Sequence, residues 1–245
     1  MHDLLGKSVI IGGGATGIGA ALAARLVSSG ANVVVGDISE PGLDALMPKL
    51  KGPGTAVPVA FDLAEDLSID NLVQICVGEF GGIDGVAITG ADLSPATADA
   101  DRPILDMDPK IWERVLRVNT IGHAMLMKAA IPHMISGNGG AIAVVTSGAA
   151  FMGSPTWPAY ASSKAALGAL VRSVALSYGK FSVRCNGVNP GRIVKEGIHE
   201  EPSNALDRIG RPDDAARVLA FLLSEESKWI TGQIISANGG ASFRE

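Results

Sequence analysis

Two residues four positions apart, Tyr160 and Lys164, have side chains that together could carry out acid–base chemistry. They lie in a stretch that is predicted to be helical, where residues four apart share one face. A free phenol has a pKa of about 10 and is a poor base at neutral pH, but a neighbouring ammonium group stabilises the phenolate and lowers that pKa. The spacing alone is common on helix surfaces. Ser147 makes it more specific, because it follows the strand-like run AIAVVT and its hydroxyl could hold a substrate oxygen near the phenol.

A glycine-rich loop near the start of the chain has the composition of a phosphate-binding turn. Gly13, Gly17 and Gly19 lie between a strand-like run and a helical pattern in KSVIIGGGATGIGAALAARL. Glycine permits a tight turn and lets backbone amides approach a pyrophosphate, and the helix N-terminus that follows offers unpaired N–H groups to the phosphate charge. The pattern is weak alone because glycine turns are common, but between a strand and a helix it predicts a dinucleotide site.

An acidic residue at the end of the second strand-like run indicates which dinucleotide would bind. Asp37 lies 18 residues after Gly19, where a carboxylate can accept hydrogen bonds from the adenosine ribose and would repel the 2′-phosphate of NADP. No basic residue follows it, and Thr16 occupies the loop position where a basic side chain could hold that phosphate. We therefore expect NAD as the cofactor; the alternative is an Asp that caps the next helix. Asp62, after the third strand-like run, is expected either at the adenine edge or in a turn.

Strand-like runs alternate with helical patterns along the chain, which predicts βαβ units and a parallel sheet. Several runs are apolar at consecutive positions, as is typical of strands covered on both faces. Ile18, Leu22 and Leu26 give the first helix an apolar stripe, and Pro158 suits the first turn of a later helix. We predict an α/β fold with a single domain over residues 1–245: a Rossmann-type, doubly wound parallel sheet of about seven strands with helices on both faces. The predicted strands are Ser8–Ile11, Asn32–Val35, Thr55–Phe61, Ile83–Ile88, Ala141–Thr146, Ser182–Val188 and Gln233–Ser236.

The composition argues against several classes of protein. The 245 residues include 20 Lys and Arg and 25 Asp and Glu, a net charge of −5, without the basic stripe that nucleic-acid binding needs. The four histidines show no metal-ligand spacing with Cys or carboxylates, so we expect no metal site. Cys76 and Cys185 lie in apolar runs and are expected to be buried free thiols in a reducing compartment. Because no secretory signal pattern and no apolar stretch of transmembrane length are present, we expect a cytoplasmic protein without a membrane partner.

Taken together, these motifs resemble those of the short-chain dehydrogenase/reductase family, of the classical type, over nearly the whole chain. The resemblance runs from SVIIGGGATGIG to ITGQIISANGG and includes Asn119 in RVNTIG, Ser147, the run Tyr160-Ala-Ser-Ser-Lys164 and Asn189-Pro190-Gly191. It implies an NAD-dependent alcohol dehydrogenase or carbonyl reductase that acts on a small-molecule alcohol or ketone. It also suggests a homotetramer or a homodimer.

The same resemblance implies a role for each site residue. Tyr160 would be the general acid/base, and Ser147 would orient the substrate oxygen. Lys164 would lower the pKa of Tyr160 and contact the nicotinamide ribose. Asn119 would hold a water that extends the proton relay towards solvent; the alternative for it alone is a polar helix residue that bonds its own backbone. The implied cofactor contacts are Gly13, Thr16, Gly17, Ile18, Gly19, Asp37, Asp62, Gly90, Tyr160, Lys164, Pro190, Gly191 and Ile193.

The chain departs from the usual family pattern at four places. Gly12 replaces a Thr before the first glycine, and the usual Asn-Asn-Ala-Gly after the fourth strand reads Ile88-Thr89-Gly90-Ala91. Val194 stands where a Thr often bonds the nicotinamide carboxamide, and Asn238 replaces a common Asp. None of these changes removes a catalytic group; they concern the groups that bind and orient the cofactor.

Three segments are expected to surround the substrate: Asp92–Met107, Gly148–Trp157 and Arg192–Ile209. In the second, Phe151, Met152 and Trp157 either line an apolar pocket or pack the loop onto the domain. If they line the pocket, the substrate is an apolar cyclic or aromatic alcohol or ketone rather than a charged sugar. The third segment is short for the family, which predicts an open pocket that tolerates bulky substrates. Its charged residues include Lys195, Glu196, Glu200 and Glu201.

Two other functions are compatible with this fold. A dinucleotide-binding regulator could dispense with the catalytic tyrosine, lysine and serine, but this chain keeps all three. An epimerase or dehydratase would use the cofactor transiently, and the lack of an added substrate domain argues modestly against it. Net hydride transfer separates these functions from a dehydrogenase.

Overall fold

The computed structural model describes residues 4–194 and 201–243, and in these ranges seven parallel strands form one sheet in the order β3-β2-β1-β4-β5-β6-β7. The predicted α/β fold and all seven predicted strands are confirmed, with ends that differ by one or two residues. The strands are β1 (Ser8–Gly12), β2 (Asn32–Asp37), β3 (Ala56–Ala60), β4 (Gly85–Ile88), β5 (Gly140–Val145), β6 (Val183–Asn189) and β7 (Ile234–Ser236).

Helices connect the strands, and the helix that carries the tyrosine and the lysine is the longest of those described. The α-helices are α1 (Gly17–Ser28), α2 (Glu40–Leu46), α3 (Asp66–Phe80), α4 (Pro95–Ala98), α5 (Pro109–Leu116), α6 (His123–Ser136), α7 (Ala149–Met152), α8 (Pro158–Tyr178) and α9 (Pro212–Leu223). A six-residue π-helical segment, Arg117–Gly122, joins α5 to α6.

Successive side chains of each strand alternate between two hydrophobic cores, one on each face of the sheet. Ile10 and Val34 belong to the core under α3, α6 and α8, whereas Ile11 and Val35 belong to the core under α1, α2 and α9. The predicted apolar stripe of α1 contributes to this second core. Because both faces of the sheet are covered, the strands are apolar at consecutive positions rather than at alternate ones.

The expectations drawn from composition can be compared with the described residues. Cys76 and Cys185 are both buried and unpaired, as predicted. None of the helices in the described ranges combines the length and the apolar content that a membrane span needs. In the same ranges, no group of three or more His, Cys, Asp and Glu side chains is arranged to hold a metal ion.

The strand order reverses between β1 and β4, and this reversal opens a crevice at the carboxyl edge of the sheet. Five candidate residues lie at or just after the carboxyl ends of strands: Gly13, Asp37, Gly90, Ser147 and Pro190. The parallel sheet therefore brings residues from distant parts of the sequence to one edge.

Candidate active site

The glycine loop after β1 is too tightly packed to accept side chains at two of the three glycines singled out from the sequence, Gly13 and Gly19. A Cβ atom on Gly13 would lie 2.4 Å from the backbone nitrogen of Gly90, and one on Gly19 would lie 2.1 Å from the Gly13 carbonyl oxygen. Gly17 has a φ of +54° and would place a Cβ in open space at the start of α1. Thr16, the N-cap residue, makes no side-chain capping bond. The Thr16 side chain therefore leaves the first-turn amides of α1 uncapped, and uncapped amides at a helix N-terminus can bind a phosphate.

The loop after β4 is attached to the glycine loop through Thr89, one of the positions that departs from the family pattern. The Thr89 hydroxyl donates a hydrogen bond of 2.6 Å to the Gly13 carbonyl oxygen. The backbone nitrogens of Thr89 and Gly90 donate to the Gly12 carbonyl oxygen at 2.9 and 3.0 Å. A hydroxyl group thus connects the two loops in place of the asparagine side chain that the family usually has here.

Replacing Thr89 with valine is expected to raise the dissociation constant for NAD by about 2- to 10-fold, because the substitution keeps the shape and removes one hydrogen bond. Titration of the protein with NAD, followed by calorimetry, measures this change. Thr89→Ser is the matched control, because it keeps the hydroxyl and removes only the methyl group. A valine variant that binds NAD as tightly as the unmodified protein would show that this bond does not set the loop geometry.

Asp37 ends β2 with its carboxylate held by two backbone amides. One oxygen accepts from Ala15 N and the other from Ser39 N, each at 2.9 Å. The cap of α2 is Ser39, whose hydroxyl accepts from Gly42 N at 3.1 Å. The Asp37 side chain therefore does not cap α2, the alternative considered from the sequence, and it lies instead on a cavity of about 270 Å³.

Asp62 and Gly90 line the same cavity as Asp37. The Asp62 carboxylate also accepts a hydrogen bond of 2.7 Å from Ala64 N, as expected of a turn residue, and its contact with an adenine edge stays a prediction. Arg114 is the basic residue among the described lining residues, and it forms an ion pair of 2.9 Å with Asp92. The cavity is thus lined by the carboxylates of Asp37 and Asp62, and its arginine is paired with Asp92, another of its lining residues.

Tyr160 and Lys164 lie on α8 and face each other, as the four-residue spacing predicts. The Lys164 ammonium is 5.9 Å from the centre of the Tyr160 ring and donates to the Val145 carbonyl oxygen at 2.9 Å. Lys164 is only 2% exposed, and burial lowers the pKa of its amine to about 8. Burial raises the pKa of Tyr160, while the Ser147 hydroxyl, a hydrogen-bond partner of the phenol, opposes this rise.

Ser147 and Tyr160 line a cleft of about 690 Å³. Two apolar side chains of the predicted substrate segment also line it: Met152, which is 71% exposed, and Trp157, which is 41% exposed. Phe151 is not among the described residues that line the cleft. The volume can hold a nicotinamide ring together with a small organic molecule.

Asn119 lies in the π-helical segment, a distortion that is frequent at functional sites. Its side chain is buried, and its two hydrogen-bond partners lie outside its own helical segment. The carbonyl oxygen of the side chain accepts from Asp92 N at 2.8 Å, and the amide donates to the Ser163 hydroxyl at 3.2 Å. Ser163 in turn donates to the Tyr160 carbonyl oxygen at 2.7 Å. Asn119 therefore connects the loop after β4 to the helix that carries the tyrosine.

The segment after β6 forms the far wall of the cleft. Gly191 has a φ of +65°, and a Cβ there would lie 2.6 Å from the Cβ atom of Asn238. Asn238, which replaces the usual Asp, accepts a hydrogen bond of 3.0 Å from Gly240 N and so still forms the turn. Ile193 and Val194 line the cleft. Lys195, Glu196 and Glu200 lie outside the described residues, so the predicted openness of this segment stays a prediction.

Three polar residues near the site were not singled out from the sequence: the half-buried Asp92 and the buried Asp101 and His123. Asp92 accepts hydrogen bonds from Arg114 and from the hydroxyls of neighbouring residues. The His123 ring lies 3.0 Å from the Gly90 carbonyl oxygen, and burial lowers its pKa to about 3. Asp101 contacts the start of α8. The bonds from Arg114 to Asp92, from His123 to Gly90 and from α8 to Asp101 join segments 22 to 59 residues apart, and a single sequence carries no signal for them.

Comparisons with known proteins agree with this geometry. A family model described as enoyl-(acyl carrier protein) reductase matches residues 13–242. A probable short-chain type dehydrogenase/reductase from Bradyrhizobium diazoefficiens is 34% identical over 246 residues, covering 96% of this chain and 87% of that protein. The cis-4-hydroxycyclohexanecarboxylate dehydrogenase of Sinomonas cyclohexanicum is 31% identical over 244 residues, covering 96% of this chain and 96% of that protein.

A solved structure gives the same result at the level of the fold. The crystal structure of an NADH-dependent reductase complexed with NAD is similar with a TM-score of 0.86 and 30% sequence identity, covering 99% of both chains. The family model and the two curated relatives extend over nearly the whole sequence, including the glycine loop and the helix of Tyr160 and Lys164. The chain therefore belongs to the short-chain dehydrogenase/reductase family and is an NAD(P)-dependent oxidoreductase.

Proposed function

We propose that this protein is an NAD(H)-dependent oxidoreductase that interconverts a secondary alcohol and a ketone. The observation that carries the proposal is the cleft in which Tyr160 and Ser147 lie together, with the buried Lys164 ammonium 5.9 Å from the phenol ring. The glycine loop and the Asp37 carboxylate lie along the same edge of the sheet, where a dinucleotide could extend into this cleft.

In alcohol oxidation, the Tyr160 phenolate would take the proton of the substrate hydroxyl, and Ser147 would hold the substrate oxygen by a hydrogen bond. When bound, the nicotinamide supplies the redox step by taking up the hydride from the alcohol carbon, or by giving one back to a ketone carbon. In ketone reduction Tyr160 would return its proton to the carbonyl oxygen. Proton and hydride together account for the two electrons and two hydrogens that separate the alcohol from the ketone.

Lys164 and Asn119 would support the proton transfer. The Lys164 ammonium stabilises the phenolate form of Tyr160, and its side chain would also contact the nicotinamide ribose. Asn119 is held beside this pair by two hydrogen bonds. We propose that it binds a water molecule through which a proton relay leads towards solvent. The remaining contacts to the cofactor would come from Thr16, Ile18, Pro190, Gly191 and Ile193.

We assign NAD rather than NADP because a negative charge, that of Asp37, lies beside the expected position of the adenosine ribose. The Asp37 carboxylate lines the cavity and is fixed by Ala15 N and Ser39 N, so it cannot move aside without losing two hydrogen bonds. Ile38 follows it and offers no positive charge to a 2′-phosphate. A fixed carboxylate can accept from ribose hydroxyls and repels a phosphate at the same place.

Replacing Asp37 with asparagine is expected to reduce the preference for NAD over NADP by about 10- to 100-fold, since it removes the repulsion between the carboxylate and the 2′-phosphate. The quantity to measure is the ratio of kcat/KM with the two cofactors. Asp44→Asn, an exposed acid on the following helix, is the matched control and should leave the ratio unchanged. An unchanged ratio in the Asp37 variant would remove Asp37 from the cofactor site.

We propose an apolar cyclic or aromatic alcohol or ketone as the substrate. Met152 and Trp157 give the cleft its apolar and aromatic character, which favours rings over charged sugars. One curated relative is named for the oxidation of a hydroxycyclohexane carboxylate, a cyclic secondary alcohol. Phe151, which we expected to line the cleft with these residues, is not among its described lining residues and does not support this assignment.

A panel of alcohols and ketones, run with NAD and with NADP, tests the function directly. Nicotinamide absorbance reports net hydride transfer, which we expect with cyclic secondary alcohols and NAD. Absence of any net transfer, with NAD still bound, would instead favour a dinucleotide-binding regulator. Conversion of the substrate without a net change in absorbance would favour an epimerase or a dehydratase.

We further propose that the enzyme acts in the cytoplasm as a homotetramer or a homodimer. The support is the family resemblance for the assembly and the two buried free thiols for a reducing compartment. Light scattering after gel filtration measures the assembly, and a monomeric mass at assay concentration would exclude both forms.

A further inference from the structure

The start of α8 is not capped by the residues that immediately precede it. The N-cap residue is Trp157, whose side chain makes no capping bond. Pro158 has no N–H group, and the first internal bond of the helix runs from Ala161 N to the Trp157 carbonyl oxygen at 3.0 Å. The N–H groups of Ala159 and Tyr160 are therefore the two donors in this turn that need a partner from elsewhere.

Asp101, in the loop after α4, provides that partner. One carboxylate oxygen accepts from Ala159 N at 3.1 Å, and the other accepts from Tyr160 N at 2.9 Å. The Asp101 residue is 4% exposed, so water does not compete freely for these bonds. Both unpaired donors of the first turn thus end on one buried carboxylate, 58 and 59 residues away in sequence.

One of these two bonds reaches the backbone of Tyr160 itself. The same residue is held at its carbonyl oxygen by the Ser163 hydroxyl at 2.7 Å and at its ring by the edge of Trp157, with the ring centres 6.0 Å apart. Among these three contacts, only the bond to Asp101 comes from a segment outside α8 and its N-cap. It therefore ties the start of α8 to a loop outside the helix, in addition to the hydrogen bond between the phenol and Ser147.

We propose that Asp101 is a positioning residue, which places the Tyr160 phenol by capping the first turn of α8 through two buried hydrogen bonds. The proposal rests on the function assigned to Tyr160 above. Asp101 is not among the described residues that line the Asp37 cavity or the Tyr160 cleft, and it would act through the backbone of Ala159 and Tyr160. Because small displacements of a catalytic group cost large factors in rate, its loss should lower kcat without weakening cofactor binding.

The neighbouring helix α5 provides a matched control. Its cap, Asp108, accepts a hydrogen bond of 2.9 Å from Lys110 N, but this bond is exposed and stays within one helix end. Asp108→Ala removes a helix cap of similar chemistry. If weakening a helix end were enough to lower kcat, kcat should therefore fall in this variant as well.

The test compares Asp101→Asn, Asp101→Ala and Asp108→Ala with the unmodified enzyme, using kcat, the dissociation constant of NAD, and hydrogen exchange at the amides of residues 159 and 160. We expect kcat to fall about 10-fold in Asp101→Asn, which keeps one acceptor oxygen, and about 100-fold in Asp101→Ala. Exchange at both amides should be faster in these two variants. The dissociation constant of NAD should stay within about twofold, and Asp108→Ala should keep its kcat.

An unchanged kcat in a folded Asp101→Asn variant with faster exchange would overturn the proposal, and so would unchanged exchange at the two amides. Equal losses of kcat in the Asp101 and Asp108 variants would also overturn it. If Asp101→Ala fails to fold, as circular dichroism would show, Asp101→Asn still decides. An unmodified protein without turnover would refute the function proposed above, whereas the exchange measurement reports on the Asp101 cap in either case.

Discussion

Replacing Tyr160 with phenylalanine is expected to lower kcat by about 10²- to 10⁴-fold while NAD still binds with nearly unchanged affinity. The phenol oxygen is the group that would exchange a proton with the substrate, and the substitution removes this atom alone. The ring, its edge contact with Trp157 and the backbone bonds to Asp101 and Ser163 do not depend on the hydroxyl. The measurements are steady-state kcat with the best substrate of the panel, and calorimetric titration with NAD.

The only other tyrosine in the sequence provides the control for this experiment. Tyr178 lies at the end of the same helix, α8, and Tyr178→Phe removes the same hydroxyl from a position away from the cleft. We expect this variant to keep its kcat. If Tyr160→Phe retained more than about a tenth of the activity, a contribution far below that of a general acid or base, Tyr160 would not be the acid–base residue.

The fold was predictable from the sequence because its signals are local. A parallel strand covered on both faces needs apolar residues at consecutive positions, and runs such as Val33–Val35 meet that need within a few residues. The signal of a glycine turn between such a run and an apolar helical stripe is likewise contained in a short stretch of sequence. Only the strand ends were displaced, because the ends of a strand depend on which neighbour it pairs with rather than on its own composition.

The placement of the candidate side chains at one edge of the sheet was also predictable, whereas most of the contacts that hold them there were not. Tyr160, Lys164 and Ser147 lie where strands and helices of the predicted type must place them. The bonds from Thr89 to the glycine loop, from Asn119 to the loop after β4 and from Asp101 to α8 span 27 to 76 residues. Such bonds depend on how loops approach one another after the sheet has formed, and residue type alone does not specify the partner.

The side chains expected around the substrate could also be predicted only in part, even within one short loop. Met152 and Trp157 line the cleft, but Phe151, adjacent to Met152 in sequence, is not among the described lining residues. Neighbouring residues of the short helix α7 point in different directions, so an apolar run predicts the character of the cleft without predicting which side chain supplies it.

Replacing Lys164 with methionine is expected to lower kcat for alcohol oxidation by about 100-fold, since an ammonium about 6 Å from the phenol ring contributes this order of stabilisation to the phenolate. The acidic limb of the pH profile should also move to higher pH. Oxidation needs Tyr160 in its deprotonated form, and burial already raises the pKa of this phenol. Because the pKa of Lys164 is about 8, its ammonium is largely present below that pH and favours the phenolate; without it the phenol loses its proton only at higher pH.

Two further variants separate the charge of Lys164 from its bulk. Lys128→Met removes an exposed lysine from α6 and should change neither kcat nor the pH profile. Lys164→Arg keeps a positive charge at the buried position, so its acidic limb should stay near that of the unmodified enzyme even if crowding lowers kcat. An acidic limb that moves equally in Lys164→Met and Lys164→Arg would mean that packing, rather than the charge, sets the pKa of Tyr160. The direction in which the acidic limb moves therefore decides between these explanations.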